Sequence, residues 1–182
     1  MYEQFLLSLP ELFGQVFRGI FIIIVIGSMA YPFGQMLPRK SFDYTAFPYT
    51  PFKIEDNGRF YLKFKIQLWK DKVPDMSLYF RHSFRKKITV FRDPEYIEAL
   101  IRETCVAEFV HFILILISPI FLHYLQSPVS WIMIILYILG NVPFIMIQRY
   151  NRPRLVGILN KQRELIEKRK LSANQAAAVR GE

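Results

Sequence analysis

Charged residues are absent from two long stretches of the chain. No Asp, Glu, Lys or Arg occurs from Gly19 to Pro38, and none from Phe109 to Gln148. The second stretch holds about 40 residues, twice the roughly 20 with which a helix crosses the hydrocarbon of a bilayer. Gln126-Ser127-Pro128 divides it at a polar turn with a helix-starting proline. The pattern predicts three membrane spans, over about residues 17–37, 107–126 and 129–148. The alternative is three buried helices in a soluble domain, but 182 residues are too few to surround them.

Between the spans the pattern changes. Phe60, Leu62, Phe64, Ile66 and Leu68 alternate with Arg59, Tyr61, Lys63, Lys65 and Gln67, the period of a strand with one apolar face. A lone strand cannot bury itself, so this one is expected on the membrane surface or against helix ends. Tyr44 to Phe52 is rich in aromatics and prolines, as irregular chain at an interface is. Asp93-Pro94-Glu95 supplies an N-cap and a proline at N1. It predicts one long helix that enters the membrane near Ala107 and runs without a stop to Gln126. Pro143 predicts a kink in the third span. After Pro153, Leu155, Ile158, Leu159, Leu165 and Ile166 fall at helical spacing among Lys161, Arg163, Lys168 and Arg169, which reads as a basic amphipathic surface helix. From Ser172 the tail reads as disordered. There is no internal repeat and no glycine-rich phosphate loop. The expected fold is an all-α membrane protein, a single membrane domain over 1–182. It has about three transmembrane helices, an interfacial loop (38–105) and a basic C-terminal helix in a tail over 149–182.

Charge orients the spans. Residues 37–105 carry 14 Lys and Arg against 9 Asp and Glu; residues 149–182 carry 9 against 3; the first 18 carry one Arg and two Glu. Two spans separate the basic segments, so both lie on one side. The positive-inside rule puts them in the cytoplasm and the N-terminus outside, in a multi-pass protein of the cell membrane. A cleaved signal peptide competes for the first span, since Ser28-Met29-Ala30 resembles a cleavage site. Glu3 and Glu11 before the only cation, Arg18, make a poor positive leader, and cleavage would export the basic loop. A mean hydropathy of +0.19 with 21% charged residues reflects this segregation. The pI of about 9.7 alone suggests nucleic acid, but positive-inside loops account for it, and no nucleic-acid partner is expected. One cysteine, Cys105, excludes an internal disulfide framework, and His82, His111 and His123 lack metal-ligand spacing.

Three constellations could carry chemistry. Thr104, Glu108 and His111 stand at i, i+4 and i+7, on one face of the long helix where the charge-free run begins. A carboxylate and an imidazole are costly there unless used or paired. Glu108 could orient His111, and His111 could take a proton from a hydroxyl; the other reading is a headgroup-level Glu and a His bonded to a neighbouring helix. His82 is less suited, in a basic stretch from Arg81 to Lys87, and His123 lies at the far end of the span. In the second constellation, Trp69-Lys70-Asp71-Lys72-Val73-Pro74, Trp is an interface anchor and the lysines could meet phosphates as point charges; a solvated turn is the alternative. The third is Gln148-Arg149-Tyr150-Asn151-Arg152-Pro153-Arg154 at the exit of the third span. Its arginines suit bidentate contact with phosphate or carboxylate, or serve as a stop signal. Asn141, inside that span, needs a partner in lipid.

In this order the motifs resemble the glycosyl-4,4′-diaponeurosporenoate acyltransferase family, which adds the fatty acyl chain in staphyloxanthin-type carotenoid synthesis. They are Trp69-Lys70 with Lys72 and Pro74, then Glu103-Thr104 with Ala107-Glu108 and His111. Asn141-Val142-Pro143 and Gln148-Arg149-Tyr150-Asn151-Arg152-Pro153-Arg154-Leu155 complete the set, and Gly58 and Phe60 also fit. The resemblance covers roughly residues 38–160. It implies acyl transfer to a sugar hydroxyl of an amphiphilic glycolipid or carotenoid glycoside in membrane lipid. Acyl-CoA or acyl-carrier protein would be the donor, and no cofactor is implied. Within that expectation His111, Glu108 and Thr104 are the catalytic candidates. Trp69, Lys70, Asp71, Lys72, Asn141, Gln148, Arg149, Tyr150, Asn151 and Arg152 are the substrate-binding candidates. A non-catalytic scaffold that recruits a soluble enzyme or binds anionic lipid through its basic surfaces is the competing class.

Overall fold

A computed structural model describes residues 8–73 and 93–180. Helix α1 is Leu9–Met36. Glu11 accepts from the backbone N–H (2.9 Å) and hydroxyl (2.6 Å) of Ser8, which ties the residue before the helix to its first turn. It ends at Leu37, whose extended backbone is what the following proline favours. Short 3₁₀ turns follow at Arg39–Ser41 and Lys53–Phe64, then α2 (Ile66–Trp69) and a 3₁₀ turn at Lys70–Lys72. The long helices are α3 (Pro94–Ile117) and α5 (Val129–Arg180), with a single turn, α4 (Ile120–Tyr124), between them. No strand occurs among the described residues. Three stretches, Leu9–Met36, Pro94–Tyr124 and Val129–Gln175, are long and apolar enough to cross a membrane.

Several expectations are corrected. The alternating segment from Arg59 to Leu68 is not a strand. With no partner to receive its N–H and C=O groups, it satisfies them locally in tight turns. Asp56, Asn57 and Gly58 reverse the chain in the left-handed region, which Asp and Asn tolerate and glycine adopts freely. The Pro94 helix starts as expected, with Asp93 Oδ1 accepting from Glu95 N at 3.2 Å. It stops at Ile117 rather than near Gln126, because Pro119 has no N–H to continue the ladder. The region after Pro153 is not a separate helix, and the tail is not irregular: α5 runs through Pro143 and Pro153 to Arg180. Lys, Leu, Gln and Ala in its last third are strong helix formers.

The chain forms two compact units. One combines Met1–Pro38 with Val106–Met146, the other Arg39–Cys105 with Ile147–Glu182. In the first, α1 runs antiparallel to α3: Gly34 meets Val110, while Gly19 meets Leu125 and Met133 near the start of α5. Leu114, Phe121, Leu125, Met133, Ile134 and Tyr137 form the core. Gln15 and Gln126 pair reciprocally, Gln15 Nε2 donating to Gln126 Oε1 (3.1 Å) and Gln126 N to Gln15 Oε1 (2.7 Å). Both polar ends of the buried Gln15 side chain are thereby satisfied. In the second unit Ile97, Leu100 and Ile101 of α3 pack on Leu155 and Leu159 of α5, with Tyr44 beside them.

Candidate functional site

In the second unit, the loop from Arg39 to Phe64 has few regular hydrogen bonds, so its carbonyls need partners. Arginines of α3 and α5 supply them. Arg102 Nη1 reaches Phe42 O at 3.2 Å, and Arg39 pairs with Glu103 at 2.8 Å. Arg149 forms a two-pronged ion pair with Glu55: Nε to Oε1 at 2.5 Å and Nη2 to Oε2 at 2.8 Å. It also donates to Pro48 O (2.9 Å) and Thr50 O (3.2 Å). Arg152 donates to Tyr49 O (2.8 Å), Thr104 Oγ1 (2.9 Å) and Thr104 O (3.0 Å). The rings of Phe52 and Tyr49 lie 4.3 and 5.4 Å from these two guanidiniums.

Glu55 is the hub of this network. Its carboxylate also accepts from the Tyr61 hydroxyl and from Phe52 N. Burial alone would raise its pKa; the hydrogen bonds from Arg149, Tyr61 and Phe52, with the charge of Arg149, outweigh burial and hold it below the ordinary glutamate range. Burial, then the Glu55 carboxylate, push the Tyr61 phenol up. Gly58, at φ +88°, lies under Tyr150: a Cβ there would stand 3.2 Å from Tyr150 O and 3.3 Å from Arg154 Nη1.

The arginines expected to meet a phosphate are therefore deeply engaged. Arg149 and Arg152 are 8% and 2% exposed, and every guanidinium nitrogen of both has a protein acceptor. They hold the loop in this structure. Tyr150 and Gln148 are buried, Asn151 is half-buried, and Arg154 lies 3.4 Å from the Tyr150 ring centre. Trp69 donates from Nε1 to Phe64 O at 3.0 Å. Lys70 pairs with the exposed Asp71 at 2.8 Å, an arrangement worth little in water, and Lys72 is exposed. Pro74 and His82 lie outside the described residues.

The first constellation is divided between partners on α5. Thr104 is held by Arg152 in the second unit. His111 belongs to the first unit, where its Nδ1 lies 2.9 Å from Asn141 Oδ1 and its ring stacks on Phe144, centroids 4.4 Å apart and planes 11° apart. Asn141 Nδ2 donates to Tyr137 O at 2.8 Å. Glu108 is buried one turn before His111. His123 meets Tyr124 edge-on at 4.9 Å. The sequence had marked His111 and Asn141 separately; the structure pairs them. Sequence reasoning missed Tyr61, which the strand reading of residues 59–68 concealed, and Tyr49 and Glu55, whose partners on α5 lie about a hundred residues away. It also missed Phe144, three residues after Asn141 on the same helix.

A sequence model of glycosyl-4,4′-diaponeurosporenoate acyltransferase matches residues 45–161, which include every candidate named above. The chain belongs to the glycosyl-4,4′-diaponeurosporenoate acyltransferase family. It is 35% identical over 129 residues to the proteins of that name from Staphylococcus aureus strains bovine RF122 / ET3-1 and MRSA252, and 34% identical to that of strain USA300. Each alignment covers 69% of this chain and 76% of the relative. No solved structure matches. Membership in this acyltransferase family makes the chain an enzyme, and α1 precedes the region that carries the match.

Proposed function

We propose that this acyltransferase moves a fatty acyl group onto a sugar hydroxyl of an amphiphilic, carotenoid-glycoside-like acceptor at the cytoplasmic face of the cell membrane. The observation that carries the reading is the His111–Asn141 pair, a positioned imidazole within a candidate membrane span of a member of this family. A sugar hydroxyl is a weak nucleophile until a base takes its proton. His111 accepts that proton as the hydroxyl oxygen attacks the acyl carbonyl of acyl-CoA or acyl-carrier protein. The carbon–sulfur bond breaks, and the proton passes to the leaving thiolate, giving an ester and a free thiol. Glu108 favours the imidazolium that forms between these steps. The exposed Lys72 and the half-buried Lys70, which would leave Asp71, are the cations suited to an anionic donor, with Trp69 at the bilayer interface. Arg149 and Arg152 act through the loop they hold. The acceptor's apolar chain stays in lipid, which avoids the cost of exposing it to water.

Loss of a positioned general base costs about 10²–10⁴ in rate. Membranes with normal amounts of the His111→Ala protein should lose detectable acylation of a glycosylated acceptor, and Glu108→Gln membranes should lose less. Near wild-type transfer by His111→Ala membranes would sink the mechanism and favour a scaffold. Extraction of lipids and pigments from a deletion strain would identify the acceptor that goes unacylated.

A further inference from the structure

The imidazole of His111 can carry its single proton on either nitrogen, and only one arrangement leaves a base where a hydroxyl can reach it. The neighbours determine which. Asn141 commits its Nδ2 to Tyr137 O, one turn earlier on α5, at 2.8 Å. That fixes which end of the amide faces the ring: Oδ1, 2.9 Å from His111 Nδ1. A carbonyl oxygen only accepts, so Nδ1 must be the protonated nitrogen. Phe144, parallel to the imidazole at 4.4 Å, opposes rotation of the ring out of this pose. Tyr137, Asn141 and Phe144 fall at i, i+4 and i+7, so one face of one helix supplies all three constraints.

We propose that Asn141 is a positioning residue that sets the tautomer of His111, with the proton on Nδ1 and the lone pair that accepts from substrate on Nε2. This rests on the reading of His111 as the base. When Nε2 takes the hydroxyl proton, both ring nitrogens become donors, and the Nδ1–H···Oδ1 bond persists unchanged. The same contact thus serves the neutral and the charged ring. A neutral amide does this without placing a second carboxylate in an apolar span, where an ionised group is costly. Asn141 orients the acid–base group and touches no reacting atom.

The test uses the full chain in lipid nanodiscs, with His82 and His123 replaced by Gln and the remaining histidine labelled with ¹⁵N and ¹³C. Long-range proton–nitrogen correlations identify which ring nitrogen is protonated, and acylation kinetics are measured on the same samples. The expected result is the Nδ1–H form in the otherwise wild-type chain. In Asn141→Leu that form should be lost, with kcat lower by about 10²–10⁴-fold; a histidine in the wrong tautomer costs a serine hydrolase up to about 10⁴. KM should move little. Asn141→Asp, which keeps an acceptor oxygen, should restore the Nδ1–H form and much of kcat. An Nε2–H ring in the wild-type chain overturns the proposal without any variant having to fold, and leaves the His111→Ala result standing. An unchanged tautomer in Asn141→Leu overturns it likewise. A changed tautomer with undiminished kcat overturns both this proposal and the general-base reading.

Discussion

Replacing Glu55 by Gln changes one oxygen into an amino group and removes one charge, yet the surroundings make it a severe change. Oε1 of Glu55 accepts from Tyr61 Oη and Arg149 Nε, and Oε2 accepts from Phe52 N and Arg149 Nη2. Whichever oxygen becomes NH₂, it faces an N–H of Arg149 and that hydrogen bond is lost; at Oε2 the bond from Phe52 N is lost as well, whereas at Oε1 the Tyr61 hydroxyl can turn to accept. Arg149 is also left without its counter-charge, with both side chains of the pair only 7% exposed. Removing one partner of a buried ion pair costs about 3–5 kcal/mol. At 1.4 kcal/mol per decade, backbone amides of residues 47–64 should exchange with solvent about 10²- to 10⁴-fold faster. Mass-spectrometric hydrogen exchange on detergent-solubilised Glu55→Gln measures this, with peptides from the first unit as the internal reference. Arg149→Met should produce a similar rise, and the double variant should fall well short of the sum of the two. Exchange within about tenfold of wild type in Glu55→Gln would refute the reasoning, because the pair would then contribute no more than about 1.4 kcal/mol.

Acid should act on the same network. The Glu55 carboxyl is held below its ordinary value of 4.5, so its contribution is complete above that pH and disappears as pH falls through the lower folded-state value; proteolysis of the loop should accelerate below about pH 4 in wild type and show no such step in Glu55→Gln. Arg152→Lys keeps the charge but can serve only part of the fork on Tyr49 O, Thr104 Oγ1 and Thr104 O; it should destabilise the loop by about 2–4 kcal/mol and lower activity with membrane insertion unchanged, as fractionation and exchange will report. Gly58→Ala forces a Cβ at φ +88° against Tyr150 O, a cost of roughly 1–3 kcal/mol visible as a lower Tm. Cysteines introduced at Lys53 and Gln175, with Cys105 replaced by Ser, should resist an impermeant reagent in intact cells and react once membranes are opened; labelling from outside would reverse the proposed topology.

The helices were legible because each was written locally. The charge-free runs, the Asp93-Pro94 start and the Gln126-Ser127-Pro128 turn all act within a few residues of the structure they specify. Pro119 was equally local, and its neglect produced the overlong second helix. The loop was not legible, because its conformation depends on groups far along the chain. Glu55 looks like a solvated charge until Arg149 stands beside it, and the alternation around Tyr61 looks like a strand until its side chain is seen to turn inward. The arginine cluster was found, but several of its acceptors are carbonyls, those of Pro48, Tyr49 and Thr50 among them, and a carbonyl leaves no mark in a sequence. His111 stood out as a titratable group in an apolar run, and Asn141 as an amide needing a partner. Only the structure shows that each answers the other.

The wide separation of Glu55 from Arg149 also governs how the chain is made. The two residues lie 94 positions apart, and Tyr49 and Arg152 lie 103 apart. At synthesis rates of about 5–20 residues per second, roughly 5–20 s pass between the emergence of the loop and that of the arginines that fix it. During that interval Phe47, Phe52, Ile54 and Phe64 belong to a segment whose fold is not yet specified, while the helix bearing Asn141 has still to be inserted. A nascent chain truncated before residue 149 should therefore leave this aromatic stretch open to chaperones and proteases, and correct maturation of the surface loop becomes a late event that reports on completion of the last helix.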